Sequence, residues 1–158
     1  MTIERVGVDG VTLRVSVEGR GVPVLLLHGF PDSLDMWRSQ VPPLVDAGFR
    51  AIAVDLRGFG ESDKPSRVGA YVMPRIIEDL TGVLDRFGVR RAHVVGHDWG
   101  AIAAWALAGW APERVDRLVA ISVGHPRSFV RALARQAWRS WYAAFFQLPR
   151  LPEAVIRA

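Results

Sequence analysis

Val94-Val95-Gly96-His97-Asp98-Trp99-Gly100-Ala101 is the stretch that decides the fold. It has the form Gly-x-Asp-x-Gly, set between an apolar run at Arg91–Val95 and a longer apolar run at Ala101–Trp110. The first run has the length of a buried strand and the second that of a helix buried between layers, which Pro112 stops. The glycines predict a sharp turn over Gly96–Gly100, where strand and helix pack too closely for a side chain. Such a turn thrusts its middle residue up at a helix N-terminus, where N–H groups and the helix dipole favour negative charge. That residue is Asp98. A carboxylate is already ionised at neutral pH and needs no base to activate it. It is a weak nucleophile, suited to a saturated carbon with a strained or good leaving group, and its product is an ester. Epoxides and alkyl halides are the substrates that fit. The alternative is that Asp98 serves only as a helix cap.

Working outward, the chain alternates strands and helices. Asp9-Gly10 lies between alternating apolar residues at Val6–Val8 and Val11–Val17, a hairpin signal. Pro23–His28 and Arg50–Asp55 read as buried strands, each running into a loop rich in glycine, proline and polar residues. Asp32 or Ser33 is placed to cap a helix over about 34–47, which Pro42-Pro43 would interrupt. Pro74 opens a second helix with an apolar face of Ile76, Ile77, Leu80, Leu84 and Phe87, and Gly88 ends it. Arg117–Val123 is the sixth strand. The expected fold class is α/β, with a mostly parallel sheet covered by helices on both faces.

Three motifs then occur in order, each just after a strand: His28-Gly29-Phe30-Pro31, Asp55-Leu56-Arg57-Gly58-Phe59-Gly60-Glu61-Ser62 and Gly96-His97-Asp98-Trp99-Gly100. Together they resemble the α/β-hydrolase fold family, and within it the epoxide hydrolase and haloalkane dehalogenase branch. The resemblance covers about residues 5–125, and the Trp-rich tail resembles the start of that branch's helical lid. It implies that Asp98 is the nucleophile and that the N–H groups of Phe30 and Trp99 form an oxyanion hole. It implies a cis Phe30-Pro31 bond. It gives His28, Pro31 and His97 the part of shaping the loop and the turn. Tyr142 falls where epoxide hydrolases place a tyrosine that donates its hydroxyl to the epoxide oxygen; its other reading is an ordinary core aromatic. Phe30 and Tyr142 favour epoxides over halides, since dehalogenases tend to carry a polar residue at the Phe30 position. Trp99 suits either, and argues against the fluoroacetate subgroup, which usually has Arg there.

The mechanism also needs a histidine base and an orienting acid, in chain order after the nucleophile. Only His125 follows Asp98, in Gly124-His125-Pro126-Arg127, too early for the base. The later acids are Glu113, Asp116 and Glu153, none of them at a suitable place. The expectation is an incomplete fold of about six of eight strands, with roughly 100 residues absent, and a chain inactive as given. The division expected is core at 1–123 and start of the lid at 124–158. A non-catalytic binding or scaffold protein on the same fold is the competing reading.

Composition narrows the rest. The 158 residues are 50% apolar and 23% charged, with no cysteine, which excludes a disordered chain, a disulfide framework and a thiolate metal site. No cofactor and no metal are expected: His93 and His97 straddle a strand and a turn, and Gly58-Phe59-Gly60 lacks the third glycine of a dinucleotide loop. No apolar run is long enough to span a membrane, and MTIERVGVDG does not read as a signal peptide, so cytoplasm is the expected compartment. The charge is uneven. Residues 1–123 hold 14 basic and 15 acidic groups, while residues 124–158 hold six arginines and one glutamate. Arg127, Arg131, Arg135 and Arg139 form a stripe, read as a solvated lid face rather than a nucleic-acid or membrane surface. The partner expected is a small hydrophobic epoxide or alkyl halide.

Overall fold

The computed structural model describes residues 2–128, 131, 141, 145, 148 and 151–157. The chain divides into two compact units, 1–123 and 124–158.

The first unit is a six-stranded sheet: β1 (Thr2–Val8), β2 (Val11–Gly19), β3 (Val22–Leu27), β4 (Phe49–Val54), β5 (Ala92–His97) and β6 (Val115–Ile121). Their order across the sheet is β1-β2-β4-β3-β5-β6. The Asp9-Gly10 hairpin joins β1 to β2, and β2 runs antiparallel to β4. The β4–β3, β3–β5 and β5–β6 pairs are parallel. This is the mixed, mostly parallel sheet of the expected fold class.

Helices cover both faces, as period-two alternation along the central strands demands. One face carries Leu25, Leu27, Ile52, Val54 and Val94 against α2 (Met73–Arg86) and α3 (Trp99–Trp110). The other carries Val24, Leu26, Ala51 and Ala53 against Leu34 and Trp37 of a 3-10 helix (Leu34–Ser39) and Val41 of α1 (Val41–Asp46). Each fully buried Leu or Ile contributes on the order of 2 kcal/mol relative to exposure.

Three local expectations change. The segment after the first loop is two helices rather than one broken at Pro42-Pro43. The break falls at Gln40, and the prolines sit in the first turn of α1, where a missing N–H costs little. Ser33, not Asp32, caps the first of them, accepting from the Asp35 N–H. Strand β5 continues through Gly96 and His97, because Gly96 and His97 pair with Ala120 and Ile121 of β6. The turn is therefore tighter than Gly96–Gly100. Helix α3 is buried on one side only: Ala103, Ala104 and Leu107 are in the core, whereas Trp99, Ile102 and Trp110 are exposed. Strand β6 likewise leaves Val119 and Ile121 exposed.

In the second unit, Leu151–Arg157 is helical, and Trp141 and Phe145 bring their rings to 6.1 Å between centroids. Arg127 and Arg131 are exposed. Tyr142, Arg135 and Arg139 lie outside the described residues. No helix among the described residues is long and apolar enough to cross a membrane.

Candidate active site

Three loops leave the C-terminal ends of adjacent parallel strands. Leu27 of β3 stands beside Val54 of β4 on one side and Gly96 of β5 on the other. The loops beginning at His28, Asp55 and Asp98 therefore start side by side, in the place where open α/β sheets put their ligand sites.

Asp98 links β5 to α3 at φ 51° and ψ −118°. A positive φ at a non-glycine residue is strained, and here the surroundings enforce it. A β-carbon on Gly100 would collide with the carbonyl groups of Leu27 and His28, and one on Gly96 with the backbone of Gly100. The two glycines thus let the start of α3 press onto β3 and β5. The Asp98 carbonyl accepts from Ala101 at 2.9 Å and from Ile102 at 3.2 Å, so its backbone does cap α3. Its side chain does not. Instead Oδ1 of Asp98 accepts the main-chain N–H of Phe30 at 3.0 Å. Trp99 is the first residue of α3, where an N–H has no carbonyl acceptor one turn back inside the helix.

The loop carrying Phe30 is held by several hydrogen bonds. The Phe30-Pro31 bond is cis. The Asp32 N–H donates to the Gly29 carbonyl at 3.0 Å and closes a turn around it. His28 is fully buried and uses both ring nitrogens: Nδ1 stands 2.8 Å from the Gly29 carbonyl, and Nε2 lies 3.0 Å from the Leu56 N–H. Nε2 must accept, so the proton sits on Nδ1 and the ring is neutral. Burial holds His28 below the usual histidine range. The His28 and Phe30 rings both meet the Phe59 ring edge-on. Phe30 and Trp99 are each 48% exposed, so the rim of the site is apolar.

Beneath this loop Asp55 is fully buried. Its Oδ1 accepts the Leu34 N–H at 2.6 Å, and its Oδ2 accepts the Glu61 N–H at 2.9 Å, with an Arg14 Nη at 3.5 Å. Ser62 Oγ donates to the Asp55 carbonyl at 2.6 Å and accepts from the Arg14 N–H at 2.9 Å. Further out, Arg57 makes two 2.6 Å contacts with Asp79 of α2, and both side chains are buried. Sequence reading does not single out Asp55 or Arg57 by role. The available signal is a carboxylate directly after the apolar run of β4, a place where a charge survives only with partners.

The structure thus brings together Asp98, Phe30, Pro31, Trp99 and His28. His97 ends β5, and its Nδ1 is buried with no hydrogen-bond partner, so any support it gives the turn does not come from that atom. His93, at the start of β5, places Nδ1 3.2 Å from Asp116 Oδ2. No group of three metal-ligating side chains stands together among the described residues. Tyr142 is outside the described residues.

A family profile described as the alpha/beta hydrolase fold matches residues 22–158. The chain is 43% identical over 157 residues to the AB hydrolase superfamily protein YfhM of Bacillus subtilis, a match covering 96% of this chain and 55% of that one. It is 42% identical over 158 residues to epoxide hydrolase A of Mycobacterium tuberculosis, covering 94% and 48%. Among solved structures, epoxide hydrolase VrEH1 from Vigna radiata superposes with a TM-score of 0.84 at 34% identity, over 98% of this chain and 52% of that one. The chain spans about half the length of the curated relatives it matches (55% and 48% for these two).

Proposed function

The chain belongs to the alpha/beta hydrolase fold family, and from that premise we propose that Asp98 is the nucleophile of an epoxide-opening reaction. One observation carries this reading. The Asp98 carboxylate makes no capping bond to α3 and instead accepts a main-chain N–H from the facing loop. A capping role gives no reason for that bond. Relatives named epoxide hydrolases support the substrate class.

The geometry suits the chemistry. With Oδ1 held by Phe30, Oδ2 is left to attack a ring carbon of the epoxide. The new bond is Oδ2–C, and the bond that breaks is the epoxide C–O, whose electron pair stays on oxygen. That oxygen takes up a proton, for which the resemblance offers the Tyr142 hydroxyl as donor, and the product is a hydroxyalkyl ester of Asp98. Hydrolysis then puts negative charge on the ester carbonyl oxygen, Oδ1, which already accepts the Phe30 N–H, and the resemblance makes the N–H of Trp99, first residue of α3, the second donor. In this reading the acid and histidine base that activate water are supplied from outside the 158 residues. Residues 1–123 are the core and 124–158 the start of a lid, a division the two compact units support.

The test is intact-mass measurement after incubation with styrene oxide. The folded chain gains the mass of one epoxide, the adduct persists because the ester has no base to hydrolyse it, and Asp98→Ala gains nothing. A folded wild-type chain that stays unmodified overturns the assignment. Halide release from 1-bromobutane, without any epoxide adduct, would move the reading to alkyl halides.

A further inference from the structure

We propose that Asp55 is a positioning residue of this site: its carboxylate fixes the direction in which the Phe30 N–H points at Asp98. The proposal rests on the reading of Asp98 as nucleophile only for its kinetic consequence. The geometric part stands separately.

The loop from His28 to Leu34 carries the Phe30 donor and is pegged at both ends to the segment that follows β4. At its start, His28 Nε2 accepts the Leu56 N–H at 3.0 Å. At its end, the Leu34 N–H donates to Asp55 Oδ1 at 2.6 Å. Between the pegs the Asp32 N–H donates to the Gly29 carbonyl, and across the second peg the Ser33 side chain accepts the Asp35 N–H. A displacement of Leu34 therefore carries to Phe30. Asp55 is suited to hold still. It is fully buried and begins where β4 ends, its own N–H donates to the Arg14 carbonyl at 2.9 Å, and its second oxygen is occupied by the Glu61 N–H at 2.9 Å. An ionised acceptor bonded to two main-chain donors makes stronger bonds than a neutral one, and the charge is offset by Arg14 at 3.5 Å. Asp55 is not among the hydrogen-bond partners of Asp98, so its effect on chemistry is routed through the loop that carries Phe30. A misaimed donor leaves the Asp98 carboxylate free to rotate, which lowers the fraction of encounters in attacking geometry without weakening capture of an apolar epoxide.

Asp55→Asn tests this. The amide keeps the size but has one neutral oxygen for the Leu34 and Glu61 N–H groups, so the peg at Leu34 is weakened or lost. The first readout is the Phe30 amide resonance in a 15N-labelled chain. Asp98→Ala defines its position when the acceptor is gone, and Asp55→Asn moves it in the same direction. The second is the adduct rate with styrene oxide: the rate at saturation falls about tenfold, while the half-saturating concentration stays within about twofold. An unmoved Phe30 amide, or a lower unfolding midpoint with an unchanged saturated rate, makes Asp55 a fold-stabilising residue only and overturns the proposal. If Asp55→Asn does not fold, native-state hydrogen exchange on the wild-type chain decides. The Phe30, Leu34 and Glu61 amides then exchange through one shared opening, and independent exchange of Phe30 overturns the proposal. A wild-type chain that forms no adduct rejects the nucleophile reading and leaves both amide measurements to judge Asp55.

Discussion

A β-carbon placed on Gly29 would stand 2.5 Å from the β-carbon of Asp98, closer than two bonded networks can pack. The glycine is thus what lets the two loops meet, and with them the Phe30 donor and the Asp98 acceptor. Gly29→Ala must push Asp98 aside. We expect a loss of about 1–3 kcal/mol in urea unfolding, the usual range for overpacking, together with a slower adduct reaction. Unchanged stability and rate would mean that the loops part without consequence.

The strain at Asp98 gives an opposite expectation. A non-glycine residue at φ 51° is held there against its own preference. Asp98→Gly relieves that strain and raises stability by about 1 kcal/mol, while abolishing the adduct. The check is the denaturation midpoint of the two chains at one pH. A variant less stable than wild type would show that the carboxylate contact with Phe30 outweighs the backbone strain.

Buried His28 makes stability pH-dependent. Its desolvated ring binds a proton less readily than an exposed histidine of ordinary value 6.5. The unfolded chain therefore takes up a proton near that pH that the folded chain refuses. This contribution is fully present above about pH 6.5 and is lost as the pH falls below it, until the folded ring itself titrates. His28→Gln lacks the dependence. Comparing unfolding midpoints of the two chains between about pH 7.5 and 5.5 isolates it. Parallel curves would show that the ring titrates normally when folded.

Arg57 and Asp79 form a buried, doubly bonded ion pair that also ties Arg57 to the Ala70 and Arg75 carbonyls. Removing one partner strands the other charge away from water. Asp79→Asn and Arg57→Met should each cost about 3–5 kcal/mol, and the double variant much less than their sum. A double-mutant cycle by chemical denaturation measures this, and additive losses would rule out coupling.

How far the sequence carries the fold can be read from particular residues. The parallel strands were legible because Pro23–His28 and Arg50–Asp55 are apolar runs too short for helices, and α2 because its apolar positions repeat at helical spacing. The end of β5 was not, since glycine and histidine carry no strand preference and only pairing with Ala120 and Ile121 extends it. Asp98 stands out from its Gly-x-Asp-x-Gly turn, whereas the Phe30 donor and the cis bond before Pro31 are expected only through the family resemblance. Asp55 and Arg57 escape such reading because their partners, Leu34 and Asp79, are 21 and 22 residues away and join them only through the fold.

Phe30 bears on how such a site can be surveyed by mutation. It donates through its main chain, and its ring stands half in solvent. Alanine scanning would therefore leave that donor in place, because every substitution except proline preserves the main-chain N–H. The heritable information about that donor is stored elsewhere, in Gly29, which admits it, and in His28, which pegs its loop. A library built only on the rim residues would vary the fit of the substrate and leave the aim of the donor untouched.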